Sequence, residues 1–199
     1  ESDVEQKFVY KFLTEEQPIG LGYSDSDFRT KVDIRKLTID KGASKKLYYP
    51  DYAIIVDGIP SVIVEAKTPG EDINEALRQA RLYATEINAC YPRNINPCEK
   101  IVVTDGEVVA AGYWDKNDIE IAVHSQNFNA ISPDFSKLID FISKRAILER
   151  SKGILQKIKS NARYFKPVQM LGGKSVINET VGENSFGANI SVEYKYLFN

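Results

Sequence analysis

The sequence is short of the groups that many functional classes require. It holds one histidine and two cysteines among 199 residues, too few for a zinc cluster or a disulfide scaffold. No run approaches the roughly twenty apolar residues that cross a bilayer. The polar, acidic start Glu1-Ser2-Asp3 has neither the basic nor the apolar region of a signal peptide. Excess charge of one sign is missing too, since 26 Lys plus Arg stand against 28 Asp plus Glu, a net −2. A chain so balanced does not coat nucleic acid or an anionic membrane by bulk charge, so any phosphate-binding surface must be local. Cys90 and Cys98 bracket a Pro- and Asn-rich loop. They read as free thiols of a cytoplasmic protein, with a loop-closing disulfide as the alternative. The lone His124 reads as structural, and no Ser-His-Asp triad is supported.

What is present suits a soluble α/β domain. Val4, Phe8, Phe12 and Leu13 recur at helical spacing behind a Ser2/Asp3 cap, predicting a helix from about Asp3 to Glu16 that Pro18, Gly20 and Gly22 stop. Segments rich in β-branched and aromatic residues predict strands at Lys31 to Ile39, Leu47 to Val56, Ile59 to Lys67, Glu99 to Thr104, Glu107 to Trp114 and Asp118 to His124. Two joins, Asp57-Gly58 and Asp105-Gly106, carry the strongest short hairpin signal. Between the third and fourth strands, Ile73, Leu77, Ala80, Ala84 and Ile87 make a narrow stripe on a helix from Glu71 to Ala89. Pro133 to about Phe165 predicts two helices, or one bent near Gly153. The last residues lead to a strand-like Ile190 to Phe198, an apolar ending expected to continue into a longer protein. Gly173-Lys174-Ser175 imitates the end of a P-loop, but Val168 stands where its first glycine belongs, so no ATP site is expected.

The informative stretch is Tyr49-Pro50-Asp51, then a hairpin, then Val62-Ile63-Val64-Glu65-Ala66-Lys67 and a helix carrying Gln79 and Tyr83. Side chains alternate across a strand, so Glu65 and Lys67 leave on one face beside each other. If Asp51 reaches the same point, two carboxylates a few ångströms apart call for a divalent cation. Such hard oxygen donors suit magnesium or manganese. The register raises an obstacle. In a strict two-residue hairpin at Asp57-Gly58, Val56 faces Ile59 and Asp51 therefore faces Val64, on the face opposite Glu65. Setting Asp51 against Glu65 needs a longer turn or a bulge, for which Pro60 just after the turn gives a reason, since proline cannot donate to the ladder.

Pro50-Asp51 followed by Glu65-Ala66-Lys67 resembles the PD-(D/E)xK motif of that nuclease superfamily. Gln79 and Tyr83, four apart, resemble the Q-x-x-x-Y signature of its RecB-like members and of the N-terminal nuclease domain of type I restriction-enzyme R (HsdR) subunits, to which the wording around them is most similar. The resemblance implies a restriction-endonuclease-like α/β core of helix, three strands, helix and strand, with a central mixed β-sheet flanked by helices and a C-terminal helical segment. It also implies magnesium-dependent cleavage of double-stranded DNA, with manganese able to substitute. Asp51 and Glu65 would be metal ligands, Glu5 on the first helix a third, Lys67 the catalytic cation, and Gln79 and Tyr83 would position the site or contact the DNA backbone.

The stretch from Phe141 to Lys166 carries Lys144, Arg145, Arg150, Lys152, Lys157, Lys159, Arg163 and Lys166 against Glu149 alone, a local +7 that leaves −9 for the rest. A solvated helix face is the default reading, and Lys144, Arg145, Arg150, Lys152 and Lys157 are the first candidates for DNA-phosphate contact. The expected organisation is a nuclease core over 1–130, a basic helical segment over 131–170 packing on or extending from it, and a tail over 171–199 that begins a further domain. Methyltransferase and specificity subunits, or a helicase motor, are the expected partners, with no membrane. The rival readings are a catalytically idle docking module of the same fold and a stand-alone DNA repair or junction nuclease.

Overall fold

The computed structural model describes residues 4–30, 50–89, 91 and 94–161. A π-helical Val4–Val9 runs into an α-helical Tyr10–Thr14, together α1. After it the chain doubles back, with Leu21 N donating to Phe12 O at 2.9 Å and Tyr23 N to Leu13 O at 2.9 Å. Then follow β1 (Phe28–Thr30), β2 (Tyr52–Val56), β3 (Ile59–Ala66), α2 (Ile73–Ala89), β4 (Lys100–Thr104), β5 (Val108–Tyr113), β6 (Ile119–His124), α3 (Pro133–Ile142) and α4 (Lys144–Asn161). The order of helix, three strands, helix and strand is the one the motif resemblance implies. The strand expected over Lys31 to Ile39, Cys90, the Gly173-Lys174-Ser175 stretch, the strand-like ending and the tail lie outside the described residues. Strand β1 precedes the expected position, entered from a tight turn in which the Asp27 carboxylate accepts from Ser24 N at 2.7 Å.

Among the described residues one six-stranded sheet runs in chain order β1 to β6. It is mixed, because β3 and β4 are parallel, joined across α2, while every other neighbouring pair is antiparallel. Helix α2 lays Ala76, Leu77, Ala80, Tyr83, Ala84 and Ile87 on one face, against Ala53, Ile63, Ile101, Val103 and Ala110. The other face is covered by α1 and α3, whose Phe12, Leu13, Phe135, Leu138 and Ile142 meet Ile54, Val62, Val64, Val102 and Val109. A sheet covered on both faces explains why β2 and β3 read as nearly unbroken apolar runs rather than as alternating strands.

Asp57-Gly58 is a two-residue turn with both residues at positive φ, 52° and 75°, the twist that matches a right-handed hairpin. Asp105-Gly106 is not such a turn. Thr104 pairs with Val109, so the connection is two residues longer, because the Asp105 carboxylate accepts from Glu107 N and Val108 N, both at 2.9 Å, and opens the loop. The break between the last two helices falls at Ser143, whose ψ is 158°, and not near Gly153, which lies inside α4. Ser143 ends α3 and its carbonyl accepts from Ile147 N at 3.0 Å to start α4, while Lys144 N donates to Leu21 O at 2.9 Å and fixes the corner. Cys98 is a buried free thiol. His124 ends β6 on the surface.

Candidate active site

Alternation along β3 sets what its C-terminal end presents. Val62, Val64 and Ala66 pack into the layer of α1 and α3, and Ile63 into the layer of α2; Glu65 shares the face of Ile63, and Lys67 continues it. The hairpin register then decides whether Asp51 joins them. Near the turn Val56 pairs with Ile59 and Ile55 with Pro60; past a shift, Ile54 pairs with Val62, Ala53 with Ile63 and Tyr52 with Val64. Ser61 is the extra residue. Carried one step further, the register sets Asp51 opposite Glu65, and Asp51 Oδ2 accepts from Ala66 N at 2.8 Å. Pro60 is accommodated because β4 joins β3 only from Val62 onward. The bulge is fastened by Ser61 Oγ, which donates to Ile59 O at 3.0 Å and lies 3.1 Å from Ser151 Oγ on α4.

Both carboxylates are withdrawn from solvent, Asp51 at 1% and Glu65 at 4% exposure. Lys67 Nζ donates to Glu65 Oε1 at 3.1 Å and to Gln79 Oε1 at 2.8 Å. Gln79 in turn donates from Nε2 to Glu75 Oε1 at 3.1 Å. Arg78 grips the same carboxylate from Nε at 2.7 Å and Nη2 at 2.6 Å, and these bonds pull Glu75 down to about 2. Strand end and helix face thus converge on one ammonium group.

Residues 32–118 match the family of type I restriction enzyme R protein N termini. No curated protein and no solved structure matches the chain. The R-protein match covers less than half of the 199 residues, yet it takes in Asp51, Glu65, Lys67, Gln79 and Tyr83. It leaves out Glu5 and the basic helix α4.

The structure treats these residues unequally. Tyr83 is 3% exposed and lies in the apolar layer of α2, where it seats the helix that carries Gln79. Glu5 lies on α1, and its main-chain carbonyl accepts from the Tyr52 hydroxyl at 2.9 Å. Burial first, then the charges of Glu5 and Asp51, push the Tyr52 phenol up to about 12, so both carboxylates act on the same ring. Among the described residues, however, no three His, Cys, Asp or Glu side chains form a group that could hold a metal ion. Glu5 is therefore near the site without completing a three-acid cluster with Asp51 and Glu65.

The basic helix sits at the other end of β3. Ile154 and Ile158 of α4 pack with Ile59, and Ser151 meets Ser61. Four strand positions separate Ser61 from Glu65, on the order of 13 Å at about 3.3 Å each. Its cations are also engaged: Lys144 with Asp27 at 2.6 Å, Arg145 with Asp140 at 3.7 Å, Arg150 with Glu99 at 2.5 Å and Lys152 with Glu149 at 3.1 Å. Lys157 lies exposed further along α4. None of these five is brought to Asp51, Glu65 and Lys67.

Two acids were passed over in the sequence. Asp105 ends β4 beside the site and, besides its bonds to Glu107 N and Val108 N, accepts from Gly70 N at 3.4 Å, tying the β4–β5 loop to the loop that follows Lys67. Burial would raise its carboxyl, but these N–H groups outweigh that and hold it below the usual range. Its place in an Asp-Gly pair reads as a turn and hides this reach. Glu75 had a legible signal, since it stands one helical turn before Gln79 on the same face.

Proposed function

We propose that this chain is the DNA-cleaving domain of a type I restriction-like R protein, a magnesium-dependent endodeoxyribonuclease. The observation that carries the reading is the register shift at Ser61, which sets Asp51 opposite Glu65 at the strand end where Lys67 is bonded to both Glu65 and Gln79. The match to R-protein N termini supports it.

The donor set fits magnesium. Asp51 and Glu65 offer hard oxygens without sulfur or imidazole, and magnesium commonly takes only one or two protein carboxylates, filling its other positions with water and substrate phosphate. Asp51 and Glu65 would hold the ion, with manganese able to substitute and Glu5 adding negative charge from α1. When bound, it supplies Lewis-acid polarisation of the scissile phosphodiester. Lys67 does the work of a positioned cation, orienting the attacking water and neutralising charge as it builds on the phosphate while the bond to the leaving sugar oxygen breaks. Gln79 keeps the ammonium aimed, and Tyr83 keeps the helix of Gln79 on the sheet.

Double-stranded DNA is the substrate in this reading. Methyltransferase and specificity subunits, or a helicase motor, supply site choice and translocation, and the setting is the cytoplasm. No helix among the described residues is long and apolar enough to cross a membrane. The test is calorimetric titration with magnesium and manganese. Binding is expected in the unaltered protein and is expected to vanish in Asp51→Asn and in Glu65→Gln. Asn at position 51 keeps an oxygen for Ala66 N, so folding survives the change. Unchanged binding in both variants would sink the site.

A further inference from the structure

An amide side chain has two chemically different ends that fold equally well either way round, and whichever end faces Lys67 decides whether Gln79 holds or repels it. Lys67 Nζ has only protons to give, so it accepts only the Oε1 end, 2.8 Å away. That contact leaves Nε2 pointing out along α2. There it meets Glu75 Oε1 at 3.1 Å, and a carboxylate can only accept. Both neighbours demand the same orientation. A reversed amide would set NH2 against ammonium and oxygen against carboxylate, two repulsions in place of two bonds.

We infer that Glu75 is a positioning residue for Lys67, acting through Gln79 by locking the amide with its oxygen toward the ammonium. The inference rests on the nuclease reading of the site and adds to it a residue outside the motif. Arg78 belongs to the same device. Its bonds to Glu75 through Nε and Nη2 hold both carboxylate oxygens, which keeps Glu75 turned along the helix toward Gln79. Without Glu75, Lys67 alone orients the amide, which loses its second anchor and turns away to water, leaving Lys67 with its bond to Glu65. The ammonium then moves toward that carboxylate and away from the place where a phosphate would be met.

The experiment uses the full chain and two independent readouts. DNA cleavage with magnesium is expected to fall about tenfold in kcat for Glu75→Ala, with KM for DNA within about twofold of its starting value. Glu75→Gln, which still offers an oxygen to Gln79 Nε2, is expected to recover most of the loss. Nuclear magnetic resonance of the ammonium of Lys67 and the amide of Gln79 is the second readout. Both give protected signals while their bonds persist, and both signals are expected to be lost in Glu75→Ala and restored in Glu75→Gln. Signals that persist in Glu75→Ala overturn the inference, as does cleavage equal to that of the unaltered chain. A chain that cuts no DNA in any form overturns the nuclease reading instead, and the resonance readout then still decides whether Glu75 orients Gln79. Glu75 is half exposed on its helix, so all variants are expected to keep the melting temperature, which separates positioning from folding.

Discussion

At the start of β3, cations of α4 each meet an acid of their own: Arg150 meets Glu99, Lys144 meets Asp27, Lys152 meets Glu149. At the end of the same strand Lys67 is shared by Glu65 and Gln79, and Gln79 is shared by Lys67 and Glu75. Exposed pairs of the first kind contribute at most about 1 kcal/mol each and could be exchanged without consequence for the core. Shared contacts of the second kind take charge out of water, where attraction scarcely offsets lost hydration, so they contribute little to stability and are suited to holding a geometry. A count of basic residues draws attention to the first end, while the proposed chemistry lies at the second.

The contrast can be broken most violently just past the bulge. Deleting Ser61 would only regularise the hairpin, with Asp51 still opposite Glu65, but inserting one residue after Val62 would turn Glu65 into the apolar layer of α1 and α3, since a one-residue slip moves every later side chain to the other face. The expected cost exceeds about 4 kcal/mol, and circular dichroism should show no cooperative melting. A folded insertion variant that still binds metal would remove the register from the account. Next in size is Lys67→Ala, for which cleavage should fall on the order of 10³-fold while folding and DNA binding stay near normal. Retained cutting would place the catalytic cation elsewhere.

A smaller effect tests the quiet end. Burial works against the Asp27 carboxylate, but bonds from Lys144 and Ser24 outweigh it and hold Asp27 below its ordinary value. A depressed carboxylate contributes stability that is present above the unfolded value of about 4 and is lost as pH falls through the folded value. Asp27→Asn should therefore cost about 1 kcal/mol at pH 7, a few degrees in melting temperature, and the gap should close below about pH 4. The smallest effect concerns DNA. Arg145→Ala and Lys152→Ala should leave the slope of log affinity against log salt unchanged. A fall of about 1 per substitution would mean that the helix touches phosphates after all.

Much of this architecture could be read from residue patterns. The stripe of Leu77, Ala80, Ala84 and Ile87 located α2, and Asp57-Gly58 located the hairpin, because in both cases local chemistry and final packing agree. The need for a longer turn or a bulge near Pro60 also followed from counting alone. The longer β4–β5 loop did not, since the Asp105 carboxylate competes for the backbone N–H groups that a tight turn would use. The corner at Ser143 was missed because what fixes it is Leu21, far away in the chain. Asp105 escaped notice because its bond to Gly70 N joins segments that only the fold brings near, whereas Glu75 bonds within its own helix, one turn before Gln79.

The bulge has a consequence for reading other chains. Across a two-residue turn with no extra residue, facing positions always differ by an odd number. The interval from Asp51 to Glu65 is even, so these two can face each other only if an odd number of residues is looped out between them. Parity, which survives in a bare string of letters, thus reports a hidden kink. Any relative whose two acids stand an even interval apart across such a turn should carry one looped-out residue, and one with an odd interval should carry none or two.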